Sequence, residues 1–222
     1  MKKADVYDCI RSIGIVPGIR VSTPERALFA AETVYRGGIP VAEITNTIPD
    51  AVDVIAQLAR DHPDMVVGAG TVLDADTASR CLDAGAKFLT SPGLVPEVIE
   101  FALANDVVVF PGALTPTDVI AAWKAGADFV KVFPCGPVGG HTYIRALKAP
   151  LPQVPLIASG GVNQTTAVKF IEAGATALGI GSELIPREAI DLRQEKRIHE
   201  LARRFLNMVK YAREQEVEST RR

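Results

Sequence analysis

Two ionisable residues interrupt apolar runs where a charge is costly. Lys131 stands in Phe129-Val130-Lys131-Val132-Phe133, and Glu43 stands in Val41-Ala42-Glu43-Ile44-Thr45. Read as strands, these runs put Phe129, Lys131 and Phe133 on one face, and Val41, Glu43 and Thr45 on one face. Burial disfavours the charged form of an amine, and the neutral amine is the species that attacks a carbonyl. A carboxylate in the same interior can move protons at carbon and oxygen. It can equally be there to neutralise the lysine, and one residue can serve both ends. Two glycine turns follow later apolar runs, Ser159-Gly160-Gly161 and Gly179-Ile180-Gly181-Ser182. The backbone N–H groups of such turns make a nest for an anion; the plainer reading is two tight turns. Arg20 can fork onto a carboxylate or hold a structural ion pair. Thr71 and the turn Ser91-Pro92-Gly93 could add hydroxyl or backbone contacts to the same ligand.

A metal centre is not expected. His62, His141 and His199 are far apart and share no HxH, HxxxH or HExxH spacing. His62 and His199 read as surface residues, while His141, after Gly139-Gly140, could touch a ligand peripherally. No Ser-His-Asp order stands out, and no cofactor is implied. Cys135 reads as a small core or wall residue, and Trp123 as helix packing.

The elements that must hold these groups alternate along the chain. Short β-branched runs predict eight strands, near 14–21, 39–45, 65–71, 86–91, 107–112, 128–134, 154–159 and 177–182. Their near-continuous apolar character suits a parallel sheet buried on both faces. Helices are predicted at 24–36, 49–61, 75–84, 95–104, 116–125, 141–148, 164–173 and 187–213. Pro24, Pro49, Pro96 and Pro116 sit in first turns, where a missing N–H costs nothing. Gly37, Gly85, Gly126 and Gly174 close the helices, the last three in a recurring Ala-Gly-Ala. Eight βα units predict a single (β/α)8 barrel over 1–222, with an N-terminal helix and a long C-terminal one. An open doubly wound sheet is the alternative, but the first strand ends in Arg20-Val21-Ser22 and not in GxGxxG. In such barrels the reactive groups lie at the C-terminal ends of strands, which is where the candidates fall. The final segment places Ile198, Leu201, Ala202, Phe205, Val209 and Ala212 on one face, to cover the barrel or a neighbouring subunit. The last ten residues, REQEVESTRR, read as solvated and frayed.

Composition narrows the function classes. Twenty-four basic against 26 acidic residues give a net charge of −2, with 48% hydrophobic residues in 222. A pI near 6.0 and a mean hydropathy of +0.18 argue against a nucleic-acid partner and against disorder. No apolar stretch approaches the ~18 residues of a membrane span, and the Lys-Lys start lacks a signal-peptide core. Three scattered cysteines fit a reducing cytoplasm and no disulfide framework.

The motifs AEITNT, VGAGTV, TSPG, FVKVFP, ASGGV and GIGS, in this order, resemble the 2-keto-3-deoxy-6-phosphogluconate aldolases, a family that also covers 4-hydroxy-2-oxoglutarate aldolases. The resemblance runs from about Gly14 to Pro186. It implies that Lys131 forms a Schiff base with pyruvate and that Glu43 transfers the protons. It also implies carboxylate and carbinolamine contacts at Thr71, Pro92 and Phe133, and phosphate contacts at Gly160, Gly161, Gly181 and Ser182. Some members carry an arginine four residues after the glutamate, where this chain has Thr47; others carry it at the end of strand one, so the carboxylate role passes to Arg20. Ser159 stands where many members have threonine and keeps the hydroxyl. Cys135-Gly136-Pro137-Val138 replaces an acidic pair seen in some members. The family implies a metal-independent homotrimer acting on a 2-keto acid sugar phosphate. Two other readings stay open: a phosphosugar isomerase or epimerase on the same barrel, and a trimeric scaffold with a relic site.

Overall fold

The computed structural model describes residues 1–220, with side chains described through residue 215. Among the described residues the strands are β1 (Ile15–Ile19), β2 (Val41–Thr45), β3 (Val66–Gly70), β4 (Phe88–Thr90), β5 (Val108–Phe110), β6 (Gly112–Ala113), β7 (Val130–Val132), β8 (Leu156–Ser159) and β9 (Ala175–Ile180). All pair in parallel, in the order β5-β4-β3-β2-β1-β9-β8-β7-β6. The chain forms the expected barrel, with one difference: the fifth predicted strand is two segments, β5 and β6. Pro111 parts them, because it has no N–H to give the ladder. β5 pairs with β4 and β6 with β7, while the Lys131 N–H donates to the Pro111 carbonyl at 2.9 Å, so the ring closes across the proline.

Around the strands lie α1 (Lys3–Ile13), α2 (Pro24–Arg36), α3 (Ala51–Asp61), α4 (Ala75–Asp83), α5 (Pro96–Ala104), α6 (Pro116–Lys124), α7 (His141–Lys148), α8 (Ala167–Glu172), α9 (Arg187–Asp191) and α10 (Glu195–Thr220). Pro24, Pro96 and Pro116 open α2, α5 and α6 as expected, and Thr23 and Thr115 cap α2 and α6. Pro49 does not open a helix; α3 starts two residues later, after Asp50. The predicted helix at 164–173 shortens to α8, because the Asn163 side-chain carbonyl accepts from the N–H groups of Thr165 and Thr166 and holds a turn there. Gly85, Gly126 and Gly174 adopt the left-handed conformation expected of them. Gly37 does not; it is small because a Cβ would come within 2.9 Å of Ala202 on α10.

The predicted helix over 187–213 is two helices. The break at 192–194 puts Arg193 at φ 47°, with its guanidinium 5.1 Å from the centroid of the Phe29 ring on α2. Beyond it, α10 packs on α2 and α8, and Ile198, Ala202, Phe205, Val209 and Ala212 are buried, with Leu201 partly so. The last helix thus covers the barrel of its own chain. Arg213, expected to begin a solvated tail, is docked: its guanidinium donates to the carbonyls of Ser12, Arg11 and Thr176. Residues 216–222 of that tail lie outside the described side chains.

α1 closes the floor of the barrel. Val6 and Ile10 are buried, Tyr7 stacks on Phe129 with centroids 4.5 Å apart, and Lys3 meets Asp128 at 3.1 Å. Phe129 also meets Phe110 edge-on, and Phe110 stacks on Phe88. Each of these fully buried rings stabilises the fold by roughly 1.5–3 kcal/mol. With the floor filled by aromatics, the polar interior lies above it, at the C-terminal ends of the strands. Among the described residues, no helix is long and apolar enough to cross a membrane.

Candidate active site

Lys131 projects from β7 and Glu43 from β2, on opposite sides of the ring, and they meet in the middle. Nζ lies 3.2 Å from Oε1 and 3.4 Å from Oε2. Lys131 is 8% exposed and Glu43 4%. Glycines on both flanks make room for the carboxylate. A Cβ on Gly70 of β3 would fall 2.2 Å from Oε1, whereas one on Gly18 of β1 would lie 4.0 Å from Oε2. The Phe133 ring is 5.8 Å from Nζ, forming an apolar wall beside the amine. The short contact lets a proton pass between the two side chains without solvent.

A cavity of about 830 Å³ opens over this pair, within the usual range for small-molecule clefts. Every residue to which the resemblance gives a role lines it, whereas Ser91, Gly93 and His141 do not. Thr71 follows β3 at φ 58°, an uncommon conformation for a β-branched residue and a strain of the kind that collects at functional sites. Pro92 lies over β6, so close that a Cβ on Gly112 would meet its carbonyl at 2.2 Å. Arg20 sits exposed at the top of β1, and among the described residues no carboxylate pairs with it.

The turn after β8 is held from behind. The Gly160 carbonyl accepts from the Gly136 N–H at 2.7 Å and the Cys135 thiol at 3.1 Å. The Gly161 carbonyl accepts from the Thr166 hydroxyl at 3.2 Å. Both glycines have positive φ, +80° and +100°, which only glycine adopts without strain. Among the described residues, no group accepts from the N–H of Gly160, Gly161 or Ser182. These donors line the cavity and can receive an anion. Burial pushes the Cys135 thiol up to about 11, so it remains a neutral donor in this frame.

Residues 6–201 match the family model for KDPG and KHG aldolases, where KDPG is 2-keto-3-deoxy-6-phosphogluconate and KHG is 4-hydroxy-2-oxoglutarate. The chain belongs to that aldolase family. A KHG/KDPG aldolase of Escherichia coli K12 is 31% identical over 189 residues, covering 85% of this chain and 89% of its own. A KDPG aldolase of Legionella pneumophila, solved with pyruvate captured as a covalent carbinolamine, superposes with a TM-score of 0.80 at 28% identity, covering 89% of this chain and 96% of that one. A native KDPGal structure superposes equally well, at 0.80 and 28%, over 90% and 96%.

The aldolase cavity also holds residues not anticipated from the sequence. Arg26, in the first turn of α2, and Arg187 and Asp191, on α9, stand at its rim, with Ser22, Asn163 and Glu183. One signal could have found Arg26: in a βα barrel the first turn after each strand lies on the active face. His141 lies away from the lining, with its ring against Phe170. His62 is partly covered and faces Glu32 at 3.4 Å. His199 is partly covered as well: its Nε2 is buried and, among the described residues, has no hydrogen-bond partner. Among the described residues no group of three or more His, Cys, Asp or Glu is placed to hold a metal ion.

Proposed function

We propose that this aldolase reversibly splits 2-keto-3-deoxy-6-phosphogluconate into pyruvate and glyceraldehyde 3-phosphate, and 4-hydroxy-2-oxoglutarate into pyruvate and glyoxylate. The observation that carries the reading is the buried Lys131–Glu43 pair, 3.2 Å apart beneath a cavity that reaches the two glycine turns. Glu43 takes a proton from the Lys131 ammonium, and the free amine attacks the C2 ketone. Glu43 then returns a proton to the carbinolamine hydroxyl, which leaves as water, and the iminium forms. Glu43, directly or through a water it holds, removes the C4 hydroxyl proton. The C3–C4 electrons flow into the iminium, the aldehyde departs, and the enamine takes a proton at C3. Water then attacks the pyruvate iminium and frees Lys131.

Thr71, Pro92 and Phe133 hold the pyruvate moiety, and the unpaired Arg20 forks onto its carboxylate. Ser159 bonds a substrate hydroxyl, and the N–H groups of Gly160, Gly161, Gly181 and Ser182, with the Ser182 hydroxyl, receive the phosphate. We also infer one barrel domain per chain, a cytoplasmic location in keeping with three free thiols, and a homotrimer. Support for assembly comes from Leu103 of α5 and Ile120 and Trp123 of α6, large apolar side chains left exposed; Trp123, expected in helix packing, is 36% exposed.

The test is reduction by borohydride in the presence of pyruvate. Activity is lost and digestion places the reduced adduct on Lys131. An unmodified Lys131 in protein that remains active would overturn the mechanism. Chelator-sensitive turnover with no trapping would instead support an isomerase or epimerase.

A further inference from the structure

The rim of the cavity carries four charged side chains that the chemistry above does not use, Arg26, Glu183, Arg187 and Asp191, and three of them are in contact with one another. Arg26 is held twice: Nη1 donates to the Ser22 hydroxyl at 2.7 Å, and Nη2 meets Asp191 Oδ1 at 2.7 Å. Arg187 approaches the other oxygen of the same carboxylate from Nε, at 3.7 Å, and is almost fully exposed. Within this trio one carboxylate stands between two guanidiniums, so the trio itself carries one positive charge in excess. All three side chains line the cavity that also contains the Gly160-Gly161 and Gly181-Ser182 turns.

We propose that Arg26 and Arg187 form a rim site for the substrate's phosphate, with Asp191 as the built-in anion that the phosphate displaces. The inference rests on the reading that the sugar acid is phosphorylated. A tetrahedral dianion seated on the N–H groups of the two turns exposes its remaining oxygens toward the mouth. Guanidinium is the side chain suited to such oxygens, because its planar fork gives two parallel charge-assisted bonds. Arg26 is already fixed in place by Ser22 and keeps that contact when Asp191 lets go. Arg187 is tied by one long contact only, so little holds it from turning inward. A keto acid without a phosphate offers no dianion to compete with Asp191, and the latch stays shut on itself. The rim therefore favours the phosphorylated substrate without touching the reacting atoms.

The measurement is the ratio of kcat/KM for one keto-deoxy sugar acid with its phosphate to that without it, with inorganic phosphate as a competitive inhibitor. In Arg26→Ala and in Arg187→Ala the ratio falls about tenfold, mostly through KM, and inhibition by phosphate weakens. In Asp191→Asn the ratio rises about threefold and phosphate inhibits more strongly, because the competing carboxylate is gone. The opposite signs are decisive. A staple that merely joined α2 to α9 would be damaged alike by losing either partner, so a fall in Asp191→Asn would overturn the proposal. Ser182→Asp, which puts a carboxylate in the nest, separates this failure from that of the underlying reading. If Ser182→Asp collapses the ratio while the arginine variants leave it alone, the rim proposal fails and the phosphate reading stands. If no variant moves the ratio, both fail.

Discussion

Replacing Gly70 with alanine tests the proposed role of Glu43 while leaving both Glu43 and Lys131 in the chain. The added methyl would sit 2.2 Å from Oε1 and 2.7 Å from Cγ of Glu43. Carbon–oxygen contact below about 3.2 Å is repulsive, so the carboxylate must retreat by about 1 Å or more. It cannot do so freely, because Glu43 is buried and its backbone is laddered to both β1 and β3. Retreat carries Oε1 away from Nζ and from the proton transfers at the carbinolamine and at the C4 hydroxyl. A misplacement of this size costs about 10²-fold, and the whole acid–base contribution of one side chain is about 10²–10⁴-fold. Gly70→Ala is therefore expected to lower kcat about a hundredfold, with KM changed much less and with a stability loss of about 1–3 kcal/mol from overpacking. The paired variant is Gly18→Ala, whose methyl lies at an ordinary 4.0 Å from Oε2 on the other flank; it should keep kcat within about threefold of the parent. Steady-state cleavage rates, with circular dichroism to confirm the fold, make the comparison. A folded Gly70→Ala enzyme with parental kcat would refute the assignment of Glu43 as the proton carrier.

Cys135 should resist thiol reagents in the native protein, since burial pushes it up to about 11 and leaves only about one molecule in a thousand as thiolate at pH 8. The stability linked to that shift is complete below the ordinary thiol range and is lost as pH climbs through about 11, so Cys135→Ala should show a shallower alkaline limb in denaturation midpoints. Arg213→Ala removes the charged donors from the Ser12, Arg11 and Thr176 carbonyls and should destabilise the chain by about 2 kcal/mol, a fall of roughly 5 °C in Tm. Scanning calorimetry checks it, and a Tm within a degree of the parent would contradict it.

The residues at the centre of the site were legible because a charge inside an apolar β run has few bland explanations. Lys131 and Glu43 carried that signal alone, and strand parity then placed both inside the ring. The barrel was legible for a related reason: helix ends marked by proline and glycine recur at the βα interval. What stayed hidden depends on contacts between distant segments. Pro111 sits in a run as apolar as any other, and only the ladder on each side shows that the strand parts there. Nothing between 187 and 213 announces a break by glycine or proline; Arg193 takes the left-handed conformation where backbone bonds to Ile190 and Ala189 close α9, and its guanidinium lies over a ring of the distant α2. The helical period put His199 beside the apolar stripe without saying that Nε2 would be covered. Arg26 and Asp191 are 165 residues apart, and no local pattern pairs them.

The hook made by Arg213 also bears on how the chain is finished during synthesis. Its bonds to the Arg11 and Ser12 carbonyls join positions about two hundred residues apart, among the longest sequence separations in the molecule. The aromatic floor beneath the barrel is laid by α1, yet its fastening is carried by α10, made about two hundred residues later. Until the final helix emerges, the end of α1 has lost its anchor and the ring has no strap across α2 and α8. Long-range closure of this sort is slow and leaves apolar surface open while it waits. A nascent chain of this aldolase therefore depends on α10 to commit α1, and a stop just short of Arg213 would release a barrel whose floor is in place but not fastened.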